Sequence, residues 1–125
     1  MEKLIDNDIL SMLHSNLCGV QEHITNINVT HYYDMVRGFT FNIGAKHFFA
    51  ILHLEDTRFN SFYRDLWLIT ESPIKCDNVD VAEIFNTGIN FWVLYNYRKL
   101  TTPKRHKIEI KQISSINKKH FKICI

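Results

Sequence analysis

Seven histidines in a chain of 125 residues are the first place to look for chemistry. His47 and His53 are six apart in a stretch that alternates like a strand. At about 3.3 Å per residue they stand roughly 20 Å apart, so they cannot share a zinc ion, whose bonds to imidazole nitrogen are about 2.0–2.1 Å long. His31 lies beside Tyr32, Tyr33 and Asp34, where a carboxylate can orient an imidazole. No HExxH, CxxC or other metal-ligand spacing is written anywhere in the sequence, and the reading for each histidine is an ordinary strand residue. Glu109-Ile110-Lys111 has the carboxylate–x–ammonium form that positions metal and water in many nucleases. Its expected upstream aspartate has only Asp65, Asp77 and Asp80 as candidates. A small metal-dependent nuclease using His31, His47 and Glu109 is therefore the third reading of the chain.

Cys18, Cys76 and Cys124 are odd in number and far apart, which fits a reducing compartment better than a disulfide framework. A reactive thiol needs an activating neighbour, and only Cys76, between Lys75 and Asp77, has a candidate. The four glycines, at positions 19, 38, 44 and 88, form no phosphate-cradling loop. No cofactor and no metal is expected, and catalysis is not the leading reading.

Two other kinds of residue carry more signal. Residues 98–125 hold nine lysines and arginines against Glu109 alone, a net +8, which leaves −6 for residues 1–97. Such asymmetry predicts surfaces of opposite sign. Arg105, Lys107, Lys111, Lys119 and Lys122 are the candidates for a basic stripe along adjacent strands. It would suit phosphate backbones by counterion release, or an acidic protein. The bland counterpart is edge lysine that deters aggregation. The second signal is Arg58-Phe59-Asn60-Ser61-Phe62-Tyr63-Arg64, whose arginine and aromatic content matches binding hot spots. Arg58, Phe59, Tyr63 and Arg64 are its candidate contacts; a loop folded back over the core edge is the alternative.

The elements that must position these residues follow from periodicity. Leu4, Ile5, Ile9, Leu10, Leu13 and Leu17 recur at helical spacing, predicting an N-terminal helix over residues 3–17 that ends at Gly19. From Ile24 the period becomes two. Residues 37–43 read as a strand, 44–46 as a tight turn and 46–55 as a second strand. That strand is apolar on both faces, with Phe48, Ala50, Leu52 and Leu54 opposite Phe49 and Ile51, and is therefore central in its sheet. Residues 55–63 read as a loop and 65–70 as a strand.

Asp80 with Glu83 forms a capping box for a short helix that ends near Gly88. In residues 89–100, Phe91, Val93, Tyr95 and Tyr97 alternate with Asn90, Trp92, Leu94 and Asn96. A loop at 101–104, a strand at 105–113, a turn at 114–117 and a strand at 119–125 complete a three-stranded meander. The expected class is α+β: an N-terminal helix and one short internal helix on a curved, mainly antiparallel sheet of about six strands, in a single domain spanning residues 1–125.

The longest uninterrupted apolar run, residues 91–95, is far short of the about 20 residues that span a bilayer. The N-terminus carries no secretory pattern. These features predict a cytoplasmic chain without membrane association, monomeric or homodimeric. The leading reading is a non-enzymatic binding protein, of the inhibitor or immunity type, that blocks a protein partner through a charged surface. A backbone-directed nucleic-acid-binding protein using the basic C-terminal strands is the alternative.

Overall fold

Alternating β-branched and aromatic residues dominate the chain from Ile24 onward, and strands are what they form. A computed structural model describes residues 24–72, 81–101 and 105–113, with the backbone alone at 81–83 and 105–106. Within it the strands β1 (Ile24–Tyr33), β2 (Met35–Ile43), β3 (Lys46–Phe59) and β4 (Phe62–Ser72) are followed by a helix, α1 (Val81–Thr87), and then by β5 (Asn90–Lys99) and β6 (Arg105–Ile113). The strands build one open six-stranded sheet in the order β1-β2-β3-β4-β5-β6, each pair antiparallel.

The described architecture is thus mainly antiparallel sheet with one short helix, rather than a clear α+β arrangement. The helix expected over residues 3–17 and the strand expected over 119–125 lie outside the described residues. Among the described residues, no helix is long and apolar enough to cross a membrane.

Residues directly opposed across antiparallel strands share a face, so the register sorts the side chains. One face carries the larger core: Phe39, Phe41 and Ile43 of β2, Phe48, Ala50 and Leu52 of β3, Trp67 and Ile69 of β4, and Trp92 and Leu94 of β5. Aromatic rings bind it across strands. Phe41 stacks on Phe48 at 5.2 Å, Phe39 meets Trp67 edge-on at 5.4 Å, and Phe48 lies 5.8 Å from Trp92. The other face carries Phe49, Ile51, Leu68 and Val93, covered by Ile84 and Phe85 of α1. β3 and β4 are therefore apolar on both faces, and they occupy the middle of the sheet as the pattern of residues 46–55 predicts.

The turns follow their residues. Gly44 takes φ 60° between β2 and β3, where a side chain would be strained. Asn60, at φ 55°, turns β3 into β4 with Ser61, asparagine being among the few side-chain-bearing residues that tolerate this region.

The loop expected at residues 55–63 is instead the paired end of a hairpin: β3 continues to Phe59, and Phe59 opposes Phe62. The alternation there is hidden by two register irregularities, between Leu52 and Leu54 and between Leu54 and Thr57. Each inserts one residue into β3. The first moves Leu54 off the face of Leu52, leaving it 37% exposed rather than in the core with Phe48 and Ala50. The second restores the original parity, so Thr57 and Phe59 share the face of Phe49 and Ile51.

Where α1 ends, the backbone passes close to β4. A Cβ on Gly88 would lie 2.0 Å from Thr70 Oγ1. Thr70 is fully buried, and its hydroxyl donates to the Asn90 carbonyl at 2.9 Å. Gly88→Ala is accordingly expected to destabilise the protein by about 1–3 kcal/mol, the usual range for overpacking. A lower denaturation midpoint at unchanged m-value checks this, and a midpoint equal to wild type removes the close-approach explanation.

Candidate binding site

Because α1 has only seven residues, it is about 10 Å long. Strands of 9–14 residues run about 30–46 Å. The helix covers the end of the sheet that carries Phe49, Leu68 and Val93. Toward the β3–β4 turn the same face bears Phe59, Phe62, Arg64, Tyr95, Tyr97, Lys107, Glu109 and Lys111, as the register shows.

Here cations sit on rings. The Arg64 guanidinium lies between two aromatics, 4.7 Å from the Phe59 ring centre and 5.0 Å from that of Tyr95. Lys107 Nζ stands 5.6 Å over Tyr97, and Lys111 Nζ 5.9 Å over Tyr95. Each such contact stabilises by about 0.5–1 kcal/mol at exposed positions. Glu109 lies among them, accepting a hydrogen bond from the Tyr97 hydroxyl at 3.2 Å and pairing with Lys107 at 3.7 Å. At the tip, Phe59, Asn60, Phe62, Tyr97 and Lys107 line a recess of about 170 Å³.

The arginines contrast sharply. Arg37 is paired with Glu55 at 2.7 Å, and that hydrogen bond raises its pKa. Arg98 is held by Asp65 and Asp56. Arg64 has neither a carboxylate nor a hydrogen-bond partner among the described residues, and its Nε is buried. Among the described residues its positive charge is held in place by rings, with no paired carboxylate.

The other face of this end is structural. Asp65, 4% exposed, accepts from Arg98 Nε at 3.2 Å, Arg98 Nη2 at 3.1 Å, the Asp56 amide at 2.9 Å and Asn96 Nδ2 at 3.5 Å. Asp56 itself has φ 53° at the second irregularity of β3, and its carboxylate also binds Arg98. Burial works against the Arg98 charge, but the Asp65 and Asp56 carboxylates outweigh it, so its pKa is raised. This network ties the bulged part of β3 to β4 and β5, and so fixes the hairpin that carries Phe59 and Phe62.

The nominated residues fall into three groups. Phe59, Arg64, Lys107 and Lys111 come together on the helix-bearing face. Arg58 and Tyr63 oppose each other on the reverse face, where Arg98 lies 5.6 Å over the Tyr63 ring. Arg105 is described by its backbone alone, opposite Arg98, while Lys119 and Lys122 lie outside the described residues. Residues 58–64 thus alternate between two faces instead of forming one loop surface. Tyr95 and Tyr97 were the missing members of the site. Their signal was the shared parity of 95 and 97 with 107 and 111 across one hairpin.

His31, His47 and Glu109 are not brought together. His31 is on β1 and Glu109 on β6, five strand spacings or roughly 24 Å apart. His31 is hydrogen bonded to Thr30 Oγ1 at 2.8 Å, and His47 Nδ1 lies 2.9 Å from Asn42 Oδ1. Asp65 is on the face opposite Glu109. Among the described residues no three His, Cys, Asp or Glu side chains are grouped to hold a metal. No family model, curated protein or solved structure matches the chain.

The Asp65 network makes a graded prediction. Asp65→Ala strands a part-buried guanidinium and the Asp56 amide, and is expected to cost about 2–4 kcal/mol. Asp56→Asn removes the charge of a carboxylate that is 57% exposed while keeping a side chain that tolerates its φ of 53°, and should cost under about 1 kcal/mol. Urea denaturation of both variants measures the difference, and equal losses would contradict the central place given to Asp65.

Proposed function

We propose that the protein is a non-enzymatic binding module of the inhibitor type, which docks the half of its helix-bearing face that no other described residue covers onto an acidic surface of a protein partner. The observation that carries this reading is Arg64, clamped between Phe59 and Tyr95 with no paired carboxylate among the described residues. A cation held in place by rings is already ordered and gives up little freedom on meeting a carboxylate. Lys107 and Lys111 extend the positive surface along β6, with Glu109 as the acid beside them. The small recess next to Arg64 supports the same reading. Sites for whole small molecules occupy about 300–1,000 Å³, whereas this one has room for a single group.

Backbone-directed nucleic-acid binding is the second reading, favoured by the net +8 of residues 98–125. Phosphates would take the place of carboxylates, and affinity would fall steeply with salt.

Parallel affinity capture with wild type and with a Lys107→Glu/Lys111→Glu variant tests the proposal. Both lysines are exposed, and losing their two ring contacts costs about 1–2 kcal/mol, so capture is carried out well below the melting temperature of the variant. Wild type is expected to recover a protein partner from nuclease-treated lysate, and the variant to lose it by roughly tenfold or more. Recovery that disappears on nuclease treatment favours the second reading. In that case purified protein should bind an oligonucleotide with a salt slope reduced by about 2 in the variant. Equal recovery by both proteins removes the charged face from the function.

A further inference from the structure

The recess at the β3–β4 tip gives the proposed partner a chemistry. Phe59, Phe62 and Tyr97 form its walls, and their rings are mutually tilted: Phe59 to Tyr97 at 58° and Phe62 to Tyr97 at 85°. Rings set this way make a cup rather than a flat platform. Successive nucleobases stack on open ring faces, but here the faces already carry cations, Arg64 on Phe59 and Lys107 on Tyr97. A cup with apolar walls fits the end of one aliphatic or aromatic side chain. Lys107 lines the recess itself, and Arg64 lies against the Phe59 ring with its buried Nε unpartnered among the described residues. Positive charge therefore borders the cup, and the groups that complement it are carboxylates.

We infer that the recess is an anchor pocket for one large apolar side chain of the partner, in a segment where acidic residues flank that side chain. The inference rests on the protein-binding reading above and specifies what is bound. Arg64 and Lys107 bind the flanking carboxylates while the ring cup excludes water from the anchor. Arginine and aromatic side chains around a pocket that excludes water are the usual composition of an interface hot spot.

Nuclear magnetic resonance titration of the full chain tests it with four probes: acetyl-Asp-Glu-Leu-Asp-Glu-amide, the same peptide with Ala for Leu, acetyl-Asn-Gln-Leu-Asn-Gln-amide, and decathymidylate. The acidic leucine peptide is expected to bind about tenfold or more tighter than either other peptide, because losing several methylenes or the charges each removes at least that factor. Its largest shifts should fall on Asn60, Tyr97 and Lys107. Tyr97→Ala should remove the advantage of the leucine peptide over the alanine peptide, so that the two bind alike. Phe59→Ser, at a position 42% exposed, gives the same test where folding is least at risk. Equal binding of the leucine and alanine acidic peptides overturns the anchor pocket but leaves the cationic docking face standing. Equal binding of the neutral and acidic leucine peptides overturns the acidic flanks. Binding of decathymidylate with no response to any peptide overturns both the pocket and the protein-binding reading.

Discussion

A helix shorter than the sheet it covers sets the terms for everything else in this structure. Both faces of β3 and β4 are apolar over their middle, and burying both is what holds the sheet together. One face carries buried Phe39, Phe41, Phe48, Trp67 and Trp92 across four strands. The other is closed at one end by Ile84 and Phe85, and beyond that end its apolar residues give way to tyrosines and long cations. Arginine and lysine lay their apolar stems along a surface while keeping the charge in water, and this is how the half that no described residue covers is compatible with solvent. The cation–ring pairs are therefore part of the fold's solution to a short helix before they are anything else, and the proposed binding surface is a consequence of that solution.

The hairpin that carries Phe59 and Phe62 extends beyond the helix-covered core, so its placement depends on polar bonding. Asp65 draws together Arg98, Asn96 and the amide of Asp56. That amide belongs to the residue at which β3 has its second irregularity, so a local insertion that would otherwise loosen the strand is locked to β4 and β5. The two insertions cancel in parity. A single one would have turned Phe59 to the reverse face and emptied the recess. Asp65 thus acts at a distance from the ring cup, through the backbone of β3, with no contact to any ring that lines it.

The sequence made the sheet legible wherever the period of two was undisturbed. Phe39, Phe41 and Ile43, the two-sided apolar pattern of residues 46–52, and the separation of Tyr95 and Tyr97 from Trp92 and Leu94 all follow from alternation, and Lys107 and Lys111 share a face for the same reason. Residues 55–63 defeated that reasoning. Asp56, Asn60 and Ser61 are turn-type residues, and two of them do take left-handed backbone, but one sits in a bulge and the other in a two-residue turn rather than in a loop. Leu54 was misplaced because an insertion is silent in a single strand and shows only against its partner. The site was half legible for a related reason. Composition singled out Arg58, Phe59, Tyr63 and Arg64, yet only pairing with β5 reveals that Arg64 meets Tyr95 while Tyr63 meets Arg98.

The charge division along the chain also changes meaning once the register is known. Counted in sequence, Arg98 belongs to the basic tract; in the structure it answers Asp65 and Asp56, acids of the other segment, so its charge is consumed internally. Lys107 is partly balanced by Glu109. Among the described residues, Arg64 and Lys111 lie on rings of one face without a paired carboxylate, and Arg64 comes from the segment counted as acidic. Net charge by segment therefore counts Arg98 as free when it is paired, and passes over Arg64. The property relevant to binding is local and geometric: a guanidinium immobilised between two rings, beside a cup the size of one side chain, on a face whose core ends just short of it.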